Sequence, residues 1–432
     1  MDLALRKPDV DAAPPDEHKK VRAQPACDDA ATQSESGTSA GINIAPGSND
    51  DGWVVPPPVK LADGTTVQLY KDGEALHAAY QAIQQAKKRI CLEVYIFGDD
   101  DTGRAFAELL ARRAMDGVKV YVIYDSVGSI ASDREMFRMM RRAGVNVRQF
   151  HPIRPWESRY GWKPANRDHR KLLIIDDDMA GMGGLNVGAE YAGSWIIQSP
   201  SGTCDFWRDN AIGLRGPAAR HFFRAFASSW HYIHSGGRLR RAEFVHDLDG
   251  SEGGVGILAS VPTMSSPLRP FLKKLFHEAR QSVQMTMAYF APDDDLVGEL
   301  CKAARRGVKV QLMLPAKCDI QALIIAARSF YERLLAAGVE VYERQSVILH
   351  AKTMVIDSKI SIVGSTNLDY RSIEYNLELS AVVRSEQFGR QMNDLFANDI
   401  NFAKRISLKE WRRRPWSDRV VQWMVSRARY LL

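Results

Sequence analysis

The sequence lacks any long apolar run. No stretch approaches the ~20 consecutive apolar residues that a helix needs to span a bilayer, so no spanning helix is expected and membrane contact would be peripheral. No apolar segment follows the first few charges, so no secretory signal is expected. Cysteine is sparse: Cys27, Cys91, Cys204, Cys301 and Cys318 are five scattered residues without a C-x-x-C pair. That pattern argues against a disulfide framework and a zinc cluster, and fits a reducing compartment. No Asp/Glu/His triplet has the spacing of a metal-ligand set.

The 432 residues are 45% hydrophobic and 25% charged, ordinary values for a globular chain long enough for two domains or one large pseudo-symmetric unit. The net charge of +6 is unevenly spread. Residues 1–52 hold ten acidic and five basic side chains, a net −5, so the rest carries +11. A basic body suits an anionic partner: phospholipid headgroups, nucleic acid or phosphorylated small molecules. Residues 1–52 are rich in Asp, Ala, Pro, Ser and Gly, cannot bury enough apolar surface, and are expected to be disordered.

From Leu61 strands and helices alternate. Strand patterns at 66–70, 89–97, 118–124 and 145–150 are separated by helical spacing at 75–88, 104–115 and 133–143, which predicts an α/β layered unit. A long aromatic and basic loop fills 151–168, the kind of segment that tends to be functional or mobile. After a linker-like stretch at 235–252 the order repeats. Ala303-Ala304-Arg305-Arg306-Gly307-Val308-Lys309-Val310 mirrors Ala114-Met115-Asp116-Gly117-Val118-Lys119-Val120, and Ala337-Gly338-Val339 mirrors Ala143-Gly144-Val145. The period is too long for a solenoid and signals a duplicated domain. The expected boundaries are 53–234 and 253–404, followed by a basic C-terminal segment, 405–432. There Trp416, Val420, Trp423, Val421, Met424 and Leu431 fall at helical spacing among Arg412, Arg413, Arg414, Arg419, Arg427 and Arg429. Such a helix suits either a membrane surface or packing on the protein body.

One string occurs in both halves: His169-Arg170-Lys171 leading to Asp176, and His350-Ala351-Lys352 leading to Asp357. Each is followed by a small-residue turn and an asparagine, Gly183-Gly184-Leu185-Asn186 and Gly364-Ser365-Thr366-Asn367. Strand alternation would project His169 with Lys171, and His350 with Lys352, into one pocket. A lone histidine is more often structural, but two matched pairs on duplicated halves can meet at one site. Two ammoniums and two amides suit a phosphoryl group, and two imidazoles suit a nucleophile and a general acid/base. The same ammoniums disfavour a metal cation there.

These strings resemble the phospholipase D superfamily over roughly residues 60–400. Tyr95-Ile96-Phe97 with Asp101 and Gly103, the two Gly-to-Asn turns, Asp369-Tyr370-Arg371-Ser372 and Asn376-Leu377-Glu378 are similar to the bacterial cardiolipin synthase branch, in its type without N-terminal membrane helices. The resemblance implies two pseudo-symmetric α/β domains, each a mixed β-sheet flanked by helices, with the active site at their interface and no cofactor or metal. It implies ping-pong phosphatidyl transfer, with His169 as nucleophile and His350 as acid/base, though near-symmetry permits the reverse. Lys171, Lys352, Asn186 and Asn367 would hold the phosphate, with Ser365 adding a hydrogen bond, while Asp176 and Asp357 would orient the imidazoles. The implied partners are anionic phospholipids and an acceptor alcohol (phosphatidylglycerol, glycerol or another headgroup) at the cytoplasmic face of the membrane, with no nucleic acid. A phospholipase D-type hydrolase or a nuclease is the enzymatic alternative. A non-catalytic lipid-binding scaffold is disfavoured because both motifs are intact.

Overall fold

The computed structural model describes residues 52–153, 165–193, 206–235, 245–246, 254–261 and 266–428. The expectations for residues 1–51, for the centre of the 151–168 loop and for most of the 235–252 stretch lie outside those residues. The first sheet has eight strands in the order Val59–Lys60, Thr66–Lys71, Asn210–Arg215, Met179–Gly183, Leu172–Ile175, Arg89–Val94, Lys119–Asp125, Asn146–Phe150. Its last three strands are parallel and its other pairings antiparallel. The second sheet has nine: Ala403–Ile406, Glu340–Ile348, Lys309–Lys317, Ser282–Met287, Lys352–Ile356, Ile360–Gly364, Glu378–Arg384, Val255–Ser260, Val245–His246. Its parallel trio is Ser282–Met287, Lys309–Lys317 and Glu340–Ile348. Two mixed sheets are therefore built on one plan. Two strands cross the expected boundaries. Val245–His246 adds an edge strand from within the expected linker, and Ala403–Ile406 runs past residue 404 to pair with Glu340–Ile348.

The two halves start and stop their crossover helices alike. The helix Asp101–Met115 is capped by Asp100, whose carboxylate accepts the Gly103 N–H, and the helix Asp294–Arg305 by Asp293, which accepts from Leu296. Asp100 is the cap, so the first helix begins three residues before the expected Arg104. Just beyond each helix a glycine takes the left-handed conformation, Gly117 at φ 90° and Gly307 at φ 91°, where a side chain would be strained.

One hydrophobic cluster belongs to both halves. It joins Leu172, Ile174 and Met182 of the first sheet to Val355, Val363 and Leu379 of the second, with Phe222 of the helix Ala219–His234 and Phe388 of the helix Glu386–Ile400. Two further clusters lie under the outer helices: Phe106, Leu110 and Phe137 in the first half, and Leu272, Leu296 and Leu300 in the second. Alternation along Leu172–Ile175 explains this layering. Leu172 and Ile174 enter the shared core, while Leu173 and Ile175 enter the outer one. Burying one face of each sheet against the other brings the motif strands to a common seam.

Candidate active site

Two single-residue bridges sew the halves together at that seam. His169 N–H donates to Leu377 O at 2.9 Å, and Leu377 N–H to Arg167 O at 2.8 Å. The mirror bridge has His350 N–H donating to Arg208 O at 2.8 Å and Arg208 N–H to Ile348 O at 2.9 Å. Each motif histidine thus sits just before its strand, pinned by backbone to the opposite half. The guanidinium of Arg208 strengthens the seam with a bidentate pair to Asp399, 2.8 Å at each nitrogen.

The bridges carry a carboxylate to each imidazole. His169 Nδ1 lies 3.0 and 3.1 Å from the two oxygens of Glu378, and His350 Nδ1 lies 2.7 Å from Asp209 Oδ2. A carboxylate at Nδ1 places the ring proton there and leaves Nε2 to face substrate. Neither Asp209 nor Glu378 was among the residues that sequence reasoning assigned a role. The available signal was an acidic residue at the start of the closing strand of each half.

Asp176 and Asp357 do not fill the orienting role expected of them. Asp176 accepts the backbone N–H groups of Lys87, Lys88 and Arg89 at 2.7–3.2 Å, and Asp357 those of Arg280, Gln281 and Ser282 at 2.7–3.2 Å. They sit at the far ends of the motif strands in left-handed turns, φ 52° and 53°, and tie each turn to the neighbouring strand. Ser365 likewise serves the protein: its hydroxyl donates to Glu378 Oε2 and accepts from Leu379 N–H at 3.0 Å. Asn186 accepts from Ile96 N–H at 3.0 Å and donates to the Tyr191 hydroxyl at 2.8 Å, holding the loop that carries Tyr95. Asn367 is buried and its Oδ1 has no hydrogen-bond partner among the described residues.

The glycine and the serine at matched positions of the two turns explain each other. A Cβ on Gly184 would stand 2.2 Å from Asp209 Oδ1, so glycine leaves room for that carboxylate. At the corresponding place Ser365 instead braces Glu378.

Lys171 and Lys352 are buried, and each ammonium donates to the carbonyl of its own motif histidine, Lys171 at 2.7 Å. Burial, reinforced at Lys171 by the charge of Lys352, lowers Lys171 to about 7; burial lowers Lys352 to about 8 against the pull of Asp209. Both imidazoles are pulled below their ordinary value by burial. At His169 Glu378 opposes this; at His350 Lys352, Lys171 and His169 deepen it. Burial pushes Asp209 up to about 6. Glu378 is raised by burial but held below the usual carboxylate range overall by His169 and Lys171. The two halves thus share one cationic pocket, in which each lysine feels groups of the other half.

Aromatic rings wall this pocket. Tyr95 stands edge-on to His169 at 5.2 Å and under the Lys171 ammonium at 5.3 Å; Tyr191, Trp207 and Tyr289 surround His350 at 5.5, 5.1 and 6.4 Å. The Tyr289 hydroxyl donates to Asp319 at 2.8–2.9 Å. Among the described residues no group of three His, Cys, Asp or Glu side chains could hold a metal ion.

Two mixed sheets on one plan, with a His–Lys pair from each meeting at their seam, define a phospholipase D-like two-domain protein. The fold agrees with that of phosphatidylserine synthase from Haemophilus influenzae, with a TM-score of 0.64 at 14% identity over 87% of this chain and 97% of that one. Sequence comparison is more specific. The family model described as "Cardiolipin synthase, PLD-like domain" matches residues 80–193 and 272–400. Cardiolipin synthase from Geobacillus thermodenitrificans is 32% identical over 371 residues, 84% of this chain and 72% of that protein. A probable cardiolipin synthase from Bacillus subtilis is 30% identical over 360 residues, 82% and 70% respectively. The chain belongs to the cardiolipin synthase family of phospholipase D-like proteins.

Proposed function

We propose that the chain is a phosphatidyltransferase that makes cardiolipin from phosphatidylglycerol, or from a similar phospholipid and an alcohol acceptor. The observation that carries this reading is the pair of imidazoles, each held at Nδ1 by a carboxylate of the opposite half, flanking two buried ammoniums. His169 Nε2 attacks phosphorus, the bond from phosphorus to the leaving glycerol oxygen breaks, and that oxygen takes the proton from the His350 imidazolium. In the return step neutral His350 takes the proton of the acceptor hydroxyl, whose oxygen attacks phosphorus, and the bond to His169 breaks.

The two carboxylates support this division of labour. A phosphorylated imidazole carries formal positive charge, which the ionised Glu378, braced by Ser365, offsets. The His350–Asp209 pair, with its carboxyl pushed up to about 6, is suited to exchanging a proton near neutrality. Bound phosphodiester adds negative charge beside His350 and raises its affinity for the proton it must deliver. Lys171 and Lys352 hold the phosphate oxygens, joined by the Nδ2 amide of Asn367, whose Oδ1 can only accept. The acceptor alcohol enters on the His350 side.

No helix among the described residues is long and apolar enough to cross a membrane. We place the enzyme peripherally at the cytoplasmic face, where its phospholipid substrate lies. Incubating the pure protein with labelled phosphatidylglycerol vesicles in EDTA tests the function. Cardiolipin plus glycerol is the expected product. Phosphatidic acid instead would make the enzyme a hydrolase, and no turnover would refute the reading.

A further inference from the structure

The C-terminal helix Trp416–Ala428 has two unlike faces. One is anchored. Gln422 is buried and accepts from Arg414 Nε at 3.1 Å, and Val425 packs against the cluster of Ala291, Leu323 and Ala326, on which Tyr289, the ring beside His350, also rests. The preceding turn is held as well: Trp411 lies against Tyr331 at 4.9 Å, and Arg412 and Arg414 each reach Glu332 at 3.4 Å. The other face is bare. Trp416 is 78% exposed, Trp423 60%, Met424 51%, Val420 43% and Val421 40%. Five of the fifteen exposed large apolar side chains among the described residues thus fall within nine positions of one helix. Spacing of three and four places Trp416, Val420, Trp423 and Met424 in a single stripe.

The charge around the stripe is predominantly positive. Residues 405–428 hold seven arginines and lysines against two acidic side chains. Arg413 and Arg419 are exposed, and the Arg427 guanidinium lies over the Trp423 ring at 5.6 Å, which lets its stem follow the apolar stripe while its head reaches outward.

We propose that this helix docks the protein on an anionic phospholipid bilayer. Trp416, Val420, Trp423 and Met424 enter the interfacial layer, and the arginines meet headgroup phosphates. Tryptophan and methionine beside exposed arginines suit the boundary between headgroups and acyl chains, where an aromatic ring and a cation are both stable. The anchored face packs against the same small cluster as Tyr289, so docking holds the Tyr289 side of the histidine seam near the bilayer. The inference rests on the reading that the substrate is a membrane phospholipid.

The test compares the full chain with a variant carrying Trp416→Ser, Val420→Ser, Trp423→Ser and Met424→Ser. Both are sedimented with vesicles of phosphatidylcholine, with and without phosphatidylglycerol. Both are also assayed on short-chain phosphatidylglycerol dispersed below its micelle concentration. Binding of the wild type to anionic vesicles is expected to exceed binding to neutral ones. The variant is expected to lose about tenfold or more of the anionic binding, with unchanged melting and unchanged turnover of dispersed substrate. A variant that sediments like the wild type overturns the proposal and leaves phosphatidyl transfer intact. A wild type that binds both vesicle types equally overturns the role of the arginines. A wild-type dimer that the variant loses, without vesicle binding, assigns the stripe to a second copy of the chain. Vesicle binding lost in the variant, with neither protein turning over phosphatidylglycerol, supports docking and refutes the proposed reaction. Should the variant misfold, quenching of wild-type tryptophan fluorescence by brominated phosphatidylglycerol decides, with reduced quenching in Trp416→Phe/Trp423→Phe expected and undiminished quenching contradicting the proposal.

Discussion

His169 and Glu378 stand 3.0 Å apart, Nδ1 to Oε1, although 209 positions separate them in the chain. The pseudo-symmetric pair, His350 and Asp209, is 141 positions apart and closes to 2.7 Å. Neither half carries a complete site. Each imidazole needs the other half's carboxylate, so folding of the seam and assembly of the chemistry are one event.

Replacing either carboxylate by its amide removes the acceptor that holds the ring proton at Nδ1. Glu378→Gln and Asp209→Asn are each expected to lower kcat by about 10²- to 10⁴-fold with little change in KM. The pH profile of kcat should also shift, because the imidazole loses its anionic neighbour. A normal profile in both variants would reduce the carboxylates to packing elements.

Asp176 and Asp357 call for the opposite outcome. Each accepts three backbone N–H groups at a strand end. Asp176→Ala and Asp357→Ala are each expected to cost about 1–3 kcal/mol in stability, measured by denaturant unfolding. The folded fraction should turn over at the wild-type rate. Asparagine, which tolerates the left-handed turn, should cost less than alanine.

The lysines make anion binding pH-dependent. Free Lys171 titrates at about 7 and Lys352 at about 8, and a bound phosphate favours both ammoniums. Binding of dimethyl phosphate, a monoanion that does not itself titrate in this range, should therefore take up protons above about pH 7 and weaken as pH rises past 8. Calorimetry in buffers of different ionisation enthalpy reads the proton uptake. Release of protons, or affinity independent of pH from 7 to 9, would contradict the cationic pocket.

Gly184→Ala puts a methyl group where the Asp209 carboxylate lies. We expect a stability loss of about 1–3 kcal/mol and a fall in kcat resembling that of Asp209→Asn. Alanine at Ser365 should be milder, since Glu378 keeps its bonds to His169.

Much of this was legible in the sequence, and for identifiable reasons. Duplication showed in the matched His–Lys strings and in the shared Ala-Gly-Val and Gly-Val-Lys-Val turns, which are local and survive as text. The unbroken apolar run Leu172–Ile175 announced a strand buried on both faces. What was not legible is long-range. Asp209 and Glu378 are ordinary acidic residues until the inter-sheet bridges at Arg208 and Leu377 carry them to the opposite half's histidine. Asp176 and Asp357 misled because constant spacing from the motif lysine looks catalytic, whereas here it reflects the fixed length of a strand that ends in a turn. The C-terminal helix was read as either a surface or a packing element, and it has one face of each kind.

The most direct test of the account is to trap the intermediate. His350→Ala and His169→Ala are mixed with phosphatidylglycerol labelled at phosphorus, quenched in neutral denaturant and analysed by peptide mass spectrometry. The account predicts an acid-labile phosphatidyl adduct on His169 in the His350→Ala protein, and none in the His169→Ala protein. An adduct on His350 in the latter would reverse the two roles. Absence of any histidine adduct in both, with wild-type turnover intact, would contradict the two-histidine mechanism itself.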